Sequence, residues 1–556
     1  METTGTSTAK LFNTGKACFV AILLFCMLQL CPFRLMWQVG GDDLSYLSHA
    51  FTIALDFDLD YSNEPATSTS GNGKLASHPL GPGVMAAPFV ALFSIVDRAT
   101  GNPVIANHAL YSGSWSYFGF LFSSVFYYLS GIALYYRSML SVRVVPAATA
   151  FLLLTSSGAA YFAMNRFTLG HSFEFFLFAV VFWGTIRVWS AGRAPVPSVC
   201  AALAIIFCLF VRPANINVLI LPLLLLGGLT SAGSWGGWRR LSDSLWPLYL
   251  STALFAVPFA LFNHYLYGVF YPNMTVLYKS TAAFSRYGID PANTGKTVLV
   301  LSGQVLASLV HLPNLLFGSE HGLLYSTPLS LLGTVLLLVT LLRCTLPTAP
   351  KVLMIVLVLG YVALPLAIVL LWKTTAGSYG YRYLFPIFPV GVMGYLLWFS
   401  GVRAFTPFAL WLNRILVVLC LFSVLSQVFF SMTQKLEVRE GINGFGINYK
   451  ASANGYDLAL AGELLNPRAW LLMLAKKTPG FVAFNAVQYL GVDPEGMAGK
   501  GGVGADYRRA LDRMKAFQHG SLVFSPGAYL LQISVLLAYI AWFALCYCRT
   551  RPLESD

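Results

Sequence analysis

Charged side chains are scarce in this chain. Only 10% of its 556 residues are Asp, Glu, Lys or Arg, whereas 57% are hydrophobic. Soluble globular domains carry roughly 25% charged residues, so the composition excludes an ordinary soluble protein and predicts an all-α polytopic membrane protein. The net charge of +13 comes without a basic block or a basic–aromatic alternation. This excludes nucleic acid as a partner and favours anionic membrane lipids.

Three further features are missing from the sequence. Its nine cysteines lie in or beside apolar runs or in predicted cytosolic loops, so no disulfide framework is expected. No A-x-A cleavage site follows the first apolar run, which we therefore interpret as a retained first span. No repeat of fixed period is present, which argues against a solenoid.

Long apolar runs are what the chain has in abundance. Runs of about twenty apolar residues can cross a bilayer as helices, and they predict about twelve spans. The predicted spans are 17–36, 113–136, 144–163, 170–190, 197–212, 214–231, 244–263, 323–343, 351–371, 384–402, 408–430 and 523–547.

The arginines set the orientation of these spans. They fall in alternate loops, such as those holding Arg137 and Arg240, and the positive-inside rule makes these loops cytosolic. Both termini are then cytosolic as well, and we favour a bacterial inner membrane with the opposite face in the periplasm. The regions left outside the cytosol are 37–112, 164–170, 264–322 and 431–522.

The long external regions suggest a division of the chain. Residues 1–430 form the predicted catalytic membrane module, 431–522 an external cap segment, and 523–556 the last span and cytosolic tail. Within the external loops, 82–98 is predicted to be an amphipathic helix on the outer surface. A second re-entrant or surface helix is predicted near 297–316.

Ionisable residues concentrate on the external side. Glu174 is the only carboxylate inside a predicted span, close to its outer end, while the external loops carry numerous acids and bases. Ionisable groups are costly within a bilayer and usually mark function. Their convergence on one face predicts an active site at the membrane interface.

Five short motifs follow one another on that face. They are Asp42–Tyr46 (DDLSY), His78–Gly83 (HPLGPG), Asn263–Gly268 (NHYLYG), Gly322–Pro328 (GLLYSTP) and Gly377–Pro386 (GSYGYRYLFP). In this order they resemble the motifs of the GT-C superfamily of membrane glycosyltransferases, of the aminoarabinose-transferase or protein-mannosyltransferase kind. The resemblance covers roughly residues 40–390.

The resemblance implies a GT-C fold and an inverting transfer of a sugar from a polyprenyl-phosphate donor to an acceptor hydroxyl outside the cytosol. Asp42 or Asp43 would be the general base; Asp42 is favoured because it matches the first acid of the motif. A departing phosphate needs fixed cations. Arg382 is the first candidate, and Lys373, His78 and Arg166 are secondary ones.

Other polar residues are candidates for the acceptor side or for supporting contacts. For Arg166, His171 and Glu174 a purely structural network at a helix end is the favoured alternative, and His78 has the alternative of capping the following helix. The acceptor-side or supporting candidates are Glu320, His321, His171, Glu174 and Tyr46.

No cofactor is required by this mechanism, and no residue is assigned as a metal ligand. The alternating acids Asp56, Asp58 and Asp60 leave Mg²⁺ or Ca²⁺ as an alternative. A solvated loop is the favoured interpretation, because the spacing lacks the glycine and distal glutamate of an EF-hand.

Two other functions remain open. A transporter or flippase of lipid-linked sugars would place ionisable groups near the bilayer midplane, where this chain is apolar. A transferase of whole glycans would share the same loops and topology. The sequence identifies neither the sugar nor the acceptor, which would be a lipid, a glycan or a protein.

Overall fold

The computed structural model describes much of the membrane-embedded part of the chain. The described residues are 23, 42–64, 78–108, 111, 113–191, 194–231, 237–271, 302–317, 322–372, 382–401, 406–436, 449–452, 455–458 and 526–550.

Helices make up nearly all of these ranges. In chain order they are α1 (Asp42–Phe51), α2 (Gly81–Ala99), α3 (Trp115–Val142), α4 (Ala147–Thr155), α5 (Ala159–Met164), α6 (His171–Ala191), α7 (Pro195–Val211), α8 (Leu221–Ser231), α9 (Gly237–Tyr267), α10 (Leu312–Phe317), α11 (Leu323–Ser326), α12 (Pro328–Arg343), α13 (Thr348–Trp372), α14 (Phe388–Gly401), α15 (Pro407–Leu436) and α16 (Pro526–Tyr547).

Shorter elements join them. A π-helix, Thr52–Asp56, continues α1, and 3-10 helices cover Pro103–Ile105, Pro213–Ile220, Leu309–His311 and Arg382–Ile387. Strands β1 (Tyr449–Ser452) and β2 (Gly455–Leu458) form an antiparallel hairpin.

Nine helices within the described ranges are long and apolar enough to cross a membrane, and α7 and α12 are shorter apolar helices. The prediction of a helical, multi-pass membrane protein is confirmed. The nine are Gly81–Ala99, Trp115–Val142, His171–Ser190, Pro213–Thr230, Leu241–Tyr267, Thr348–Leu370, Arg382–Ser400, Pro407–Val428 and Leu530–Tyr547.

The predicted span 144–163 is wrong as one continuous helix. Helix α4 ends at Thr155, and α5 starts at Ala159 after Gly158, whose φ of 81° is left-handed. Glycine adopts this conformation without a Cβ clash. The apolar pattern does not reveal the break because the residues on both sides of it are almost all apolar.

Helix α2 covers the predicted surface helix 82–98, and it also meets the length and composition of a span. It packs along α1 and α3. Whether it lies on the membrane or crosses it stays a prediction. The predicted helix near 297–316 is helical where it is described, from 302 to 317. Most of the cap segment 431–522 and of the first span 17–36 lies outside the described residues.

The core between α3 and α6 is largely aromatic. Tyr117, Phe120, Tyr128 and Tyr135 on α3 are fully buried. Tyr135 contacts Phe175 of α6 with ring centroids 5.3 Å apart. Such ring pairs combine a large buried area with a defined geometry, so this pair of helices fixes the start of α6, where His171 and Glu174 lie.

Helices α12 and α14 approach each other through glycines. A Cβ added to Gly394 would lie 1.8 Å from the carbonyl oxygen of Gly333, and one added to Gly391 would lie 2.3 Å from that of Leu329. Any larger side chain would push these backbones apart. Small residues of this kind allow close packing of helices in membranes.

The junction of α2 and α3 is held by a buried carboxylate. Asp97 accepts hydrogen bonds from the backbone N–H groups of Trp115 (3.0 Å) and Ser116 (2.6 Å), and from the Ser116 hydroxyl (2.6 Å). A carboxylate at a helix N-terminus satisfies otherwise unpaired N–H groups and complements the helix dipole. Asp97 therefore has a structural role.

Candidate active site

The acidic motif begins helix α1. Asp42 is the first residue of the helix, and the side chain of Asp43 is buried. Acidic residues are favourable at this end because the backbone N–H groups carry partial positive charge. The side chain of Asp42 lies outside the described part of the structure.

Asp43 is held by two residues of the short loop before α6. Its Oδ2 accepts a hydrogen bond from Nη2 of Arg166 at 2.5 Å, and its Oδ1 accepts one from the Thr168 hydroxyl at 2.6 Å. A carboxylate engaged on both oxygens is held in a fixed orientation. The geometry therefore favours Asp43 as a positioning residue.

Arg382 lies on the same side of the protein as this ion pair. Burial opposes the charge on Arg166, but the neighbouring Asp43 carboxylate outweighs it and raises the pKa of Arg166, while the positive charge of Arg382 acts in the opposite direction. The predicted base region and the predicted phosphate-binding cation are thus within electrostatic range of one another.

A second buried cluster lies at the start of α6. Oε2 of Glu174 forms an ion pair with Nη1 of Arg212 at 3.2 Å and lies 3.1 Å from Nδ1 of His171. Arg212 also approaches Nδ1 of His171 at 3.1 Å. The charge of Arg382 acts on both His171 and Glu174.

Aromatic rings connect this cluster to the motif that contains Arg382. The guanidinium of Arg212 lies 4.9 Å from the ring centroid of Tyr383, and that of Arg382 lies 5.3 Å from the same ring. The ring of His171 stacks on Phe385 at 5.4 Å. Cations are attracted to the faces of aromatic rings, so Tyr383 is in contact with two guanidinium groups.

The His78 motif is attached to α1. Nδ1 of His78 is 3.0 Å from the Ser45 hydroxyl, and its ring meets Tyr46 edge-on at 5.6 Å. The His78 carbonyl accepts a hydrogen bond from Nε2 of His49 at 2.9 Å. Ser45 and His49 are four residues apart and therefore share one helix face. This contact places His78 beside the acidic motif.

His49 is neutral in this arrangement. Its Nε2–H donates to the His78 carbonyl, so Nδ1 accepts from the Tyr61 hydroxyl at 2.5 Å. Burial lowers the pKa of His49 to about 4.

This lowered pKa predicts a pH-dependent stability. In the unfolded chain His49 gains a proton below about pH 6.5, whereas in the folded protein it does so only near pH 4. Between these values the free energy of unfolding falls by roughly 1.4 kcal/mol per pH unit as the pH is lowered, about 3 kcal/mol in total. His49→Gln keeps a donor toward the His78 carbonyl but does not titrate. Thermal melts in detergent from pH 7.5 to 4 should show a shallower decline of Tm for this variant; equal slopes would contradict the prediction.

The structure places the predicted residues in two neighbouring groups. Asp43, Arg166 and Arg382 lie together, and His171 and Glu174 form a second cluster linked to them through Arg382. Tyr46 lies on α1, as Asp43 does, and its ring packs against His78. Lys373, Glu320 and His321 lie outside the described residues, so their roles stay predictions.

Sequence reasoning missed Thr168 and Arg212. Thr168 is only two residues from Arg166, but a lone threonine in a loop carries no signal of its own. Arg212 precedes Pro213 and reads as a helix break between apolar runs. Its position at the predicted external end of α7, opposite the arginines of the predicted cytosolic loops, is the signal that could have marked it.

Comparisons with known proteins add little. No family model and no curated protein matches the sequence. The fold is similar to that of the archaeal oligosaccharyltransferase AglB from Archaeoglobus fulgidus in complex with an inhibitory peptide and a dolichol-phosphate, at 14% identity and a TM-score of 0.43 over 77% of this chain and 56% of that chain.

A structure of the Archaeoglobus fulgidus oligosaccharyltransferase complexed with Zn and sulfate gives 16% identity and a TM-score of 0.44 over 77% of this chain and 54% of that chain. ArnT from Cupriavidus metallidurans in the apo state gives 13% identity and a TM-score of 0.37 over 98% of this chain and 78% of that chain.

The chain spans about half the length of the two oligosaccharyltransferase chains. At these identities and TM-scores the likeness carries no argument about activity, which rests on the residues of the site.

Proposed function

We propose that this protein is an inverting glycosyltransferase. It transfers a sugar from a polyprenyl-phosphate donor to an acceptor hydroxyl at the non-cytosolic face of the membrane. The observation that carries the proposal is the association of Asp43 and Arg166 with Arg382, three residues that are distant in the sequence and lie on one side of the protein.

The charges of the site suit a lipid phosphate. The site brings together three guanidinium groups, those of Arg166, Arg212 and Arg382, which face the carboxylates of Asp43 and Glu174. The proposed base, Asp42, adds a third carboxylate. Guanidinium groups bind phosphate oxygens through two parallel hydrogen bonds and stay charged at all relevant pH values.

The reaction follows from these roles. Asp42 removes the proton from the acceptor hydroxyl as its oxygen attacks the anomeric carbon from the side opposite the phosphate. The bond between that carbon and the phosphate oxygen breaks, and the bonding electrons leave with the polyprenyl phosphate. Arg382 stabilises the charge that develops there. Asp43, held by Arg166 and Thr168, fixes the start of α1 and hence Asp42.

A transfer assay tests the proposal. The purified full-length protein would be incubated in detergent–lipid micelles with a panel of undecaprenyl-phosphate monosaccharides and a membrane-lipid extract as acceptor. Mass spectrometry should detect free undecaprenyl phosphate and an acceptor heavier by one sugar. Uptake of intact donor into proteoliposomes with no cleavage would instead identify a flippase, and a product heavier by a whole glycan would identify a different transferase.

A further inference from the structure

A third polar cluster, formed by Asp56, Glu64 and His108, lies away from the proposed active site. Helix α1 continues into the π-helix Thr52–Asp56, and Asp56 ends it. At about 1.5 Å of rise per residue, Asp56 is roughly 20 Å along the helix from Asp43. Glu64, from the loop that follows, and His108, from the segment before α3, meet it there.

A hydrogen bond to Glu64 orients the buried ring of His108. Its side chain is completely buried, and its Nδ1 lies 2.8 Å from Oε1 of Glu64. A carboxylate accepts hydrogen bonds, so Nδ1–H is the donor, and in the neutral form of the ring Nε2 carries a lone pair. Nε2 has no hydrogen-bond partner within the described part of the chain.

This lone pair faces another acceptor. Nε2 of His108 lies 3.7 Å from Oδ1 of Asp56. A proton on Nε2 would not make a good hydrogen bond over this distance, because N–H···O bonds are about 2.7–3.2 Å long. A metal ion fits between the two atoms, since two bonds of about 2.1 Å span this separation at an angle of roughly 120°.

Neighbouring residues orient both groups. Asn63 donates its side-chain N–H to Oδ2 of Asp56 at 3.0 Å, which leaves Oδ1 directed toward His108. The Thr52 hydroxyl donates a hydrogen bond to Oε1 of Glu64, the same oxygen that accepts the hydrogen bond from Nδ1–H of His108. In zinc sites, the metal-binding histidine commonly donates its other ring N–H to a carboxylate, which fixes the orientation of the ring.

We propose that Asp56 and His108 bind a Zn²⁺ ion, with Glu64 orienting the histidine. Imidazole together with carboxylate favours zinc, whereas Ca²⁺ and Mg²⁺ are usually held by oxygen ligands alone. The Asp56 side chain is 25% exposed, so water reaches the ion and completes its coordination. The ion ties the loop after α1 to the segment that leads into α3.

Metal content tests this site independently of sugar transfer. Full-length protein carrying an affinity tag without histidine would be loaded with zinc sulfate, desalted and analysed by mass spectrometry for metals. Wild type and Asp60→Asn, a matched exposed acid of the same loop, should retain about one zinc per chain. Asp56→Asn and His108→Gln should lose it, and an excess of Ca²⁺ should not displace it from wild type.

Two further measurements keep the test decisive. Zinc should raise the Tm of wild type and Asp60→Asn by several degrees but leave that of Asp56→Asn unchanged. X-ray absorption of the wild type should show only nitrogen and oxygen ligands near 2.0–2.1 Å. Sulfur ligands, equal zinc in wild type and Asp56→Asn, or no zinc in wild type would overturn the proposal.

Discussion

Asp42→Asn should reduce the rate of sugar transfer by about 10²–10⁴-fold, the usual contribution of a positioned general base. Asparagine has nearly the same shape as aspartate but cannot take the acceptor proton. Asp42 is the first residue of α1, and asparagine is about as favourable as aspartate at a helix N-terminus, so Tm should change little. The measurement is the initial rate of undecaprenyl phosphate release, with kcat and KM determined separately.

Asp43→Asn is the comparison that separates the two acids. It removes the charge that pairs with Arg166 and leaves that guanidinium half-buried without its carboxylate, so it should lower Tm as well as activity. Asp60→Asn, in the exposed loop, is the control that should leave the rate unchanged. Wild-type turnover in both Asp42→Asn and Asp43→Asn would exclude the mechanism.

Arg382→Gln should lower kcat by about 10²–10³-fold, the effect of removing one group that stabilises charge developing in a transition state. The leaving phosphate gains charge as its bond to the sugar breaks, so the loss should fall on kcat more than on KM. Arg382→Lys keeps the charge without the two-pronged hydrogen bonding. It should recover part of the rate.

An exposed arginine provides the control for this series. Arg137 lies on α3 at the predicted cytosolic side and is exposed, so Arg137→Gln should leave both constants unchanged. The effect of Arg382→Gln should not depend on the length of the prenyl chain, because Arg382 is proposed to contact the phosphate: donors with shorter chains should be affected as strongly as long ones. Equal activity of Arg382→Gln and wild type would remove Arg382 from the phosphate site.

Much of the architecture could be predicted from apolar length alone. Helices α3, α6, α9, α13, α15 and α16 lie where long apolar runs predict spans, because a bilayer demands about twenty such residues. Breaks inside apolar segments could not be predicted. The one at Gly158 depends on a backbone conformation that an apolar neighbourhood does not encode.

The site was predictable only in part. Asp43 and Arg382 follow from motifs, but the role of Arg212 depends on packing that brings the ends of α6 and α7 to Tyr383. The pairing of His108 with Glu64 joins positions 44 residues apart. No local pattern reports such a contact, so single acids and histidines read as ordinary loop residues.

The glycine contact between α12 and α14 has a consequence for the chemistry. Helix α14 follows directly from the 3-10 turn that begins with Arg382, so the cation is mounted on a helix whose backbone is locked against its neighbour near Gly391 and Gly394. A larger side chain at Gly391 or Gly394 would not contact the reactants. It would nevertheless displace the guanidinium of Arg382, because helix α14 would move away from α12. The rate of sugar transfer would therefore change although the substitution lies within the membrane-spanning part of the protein.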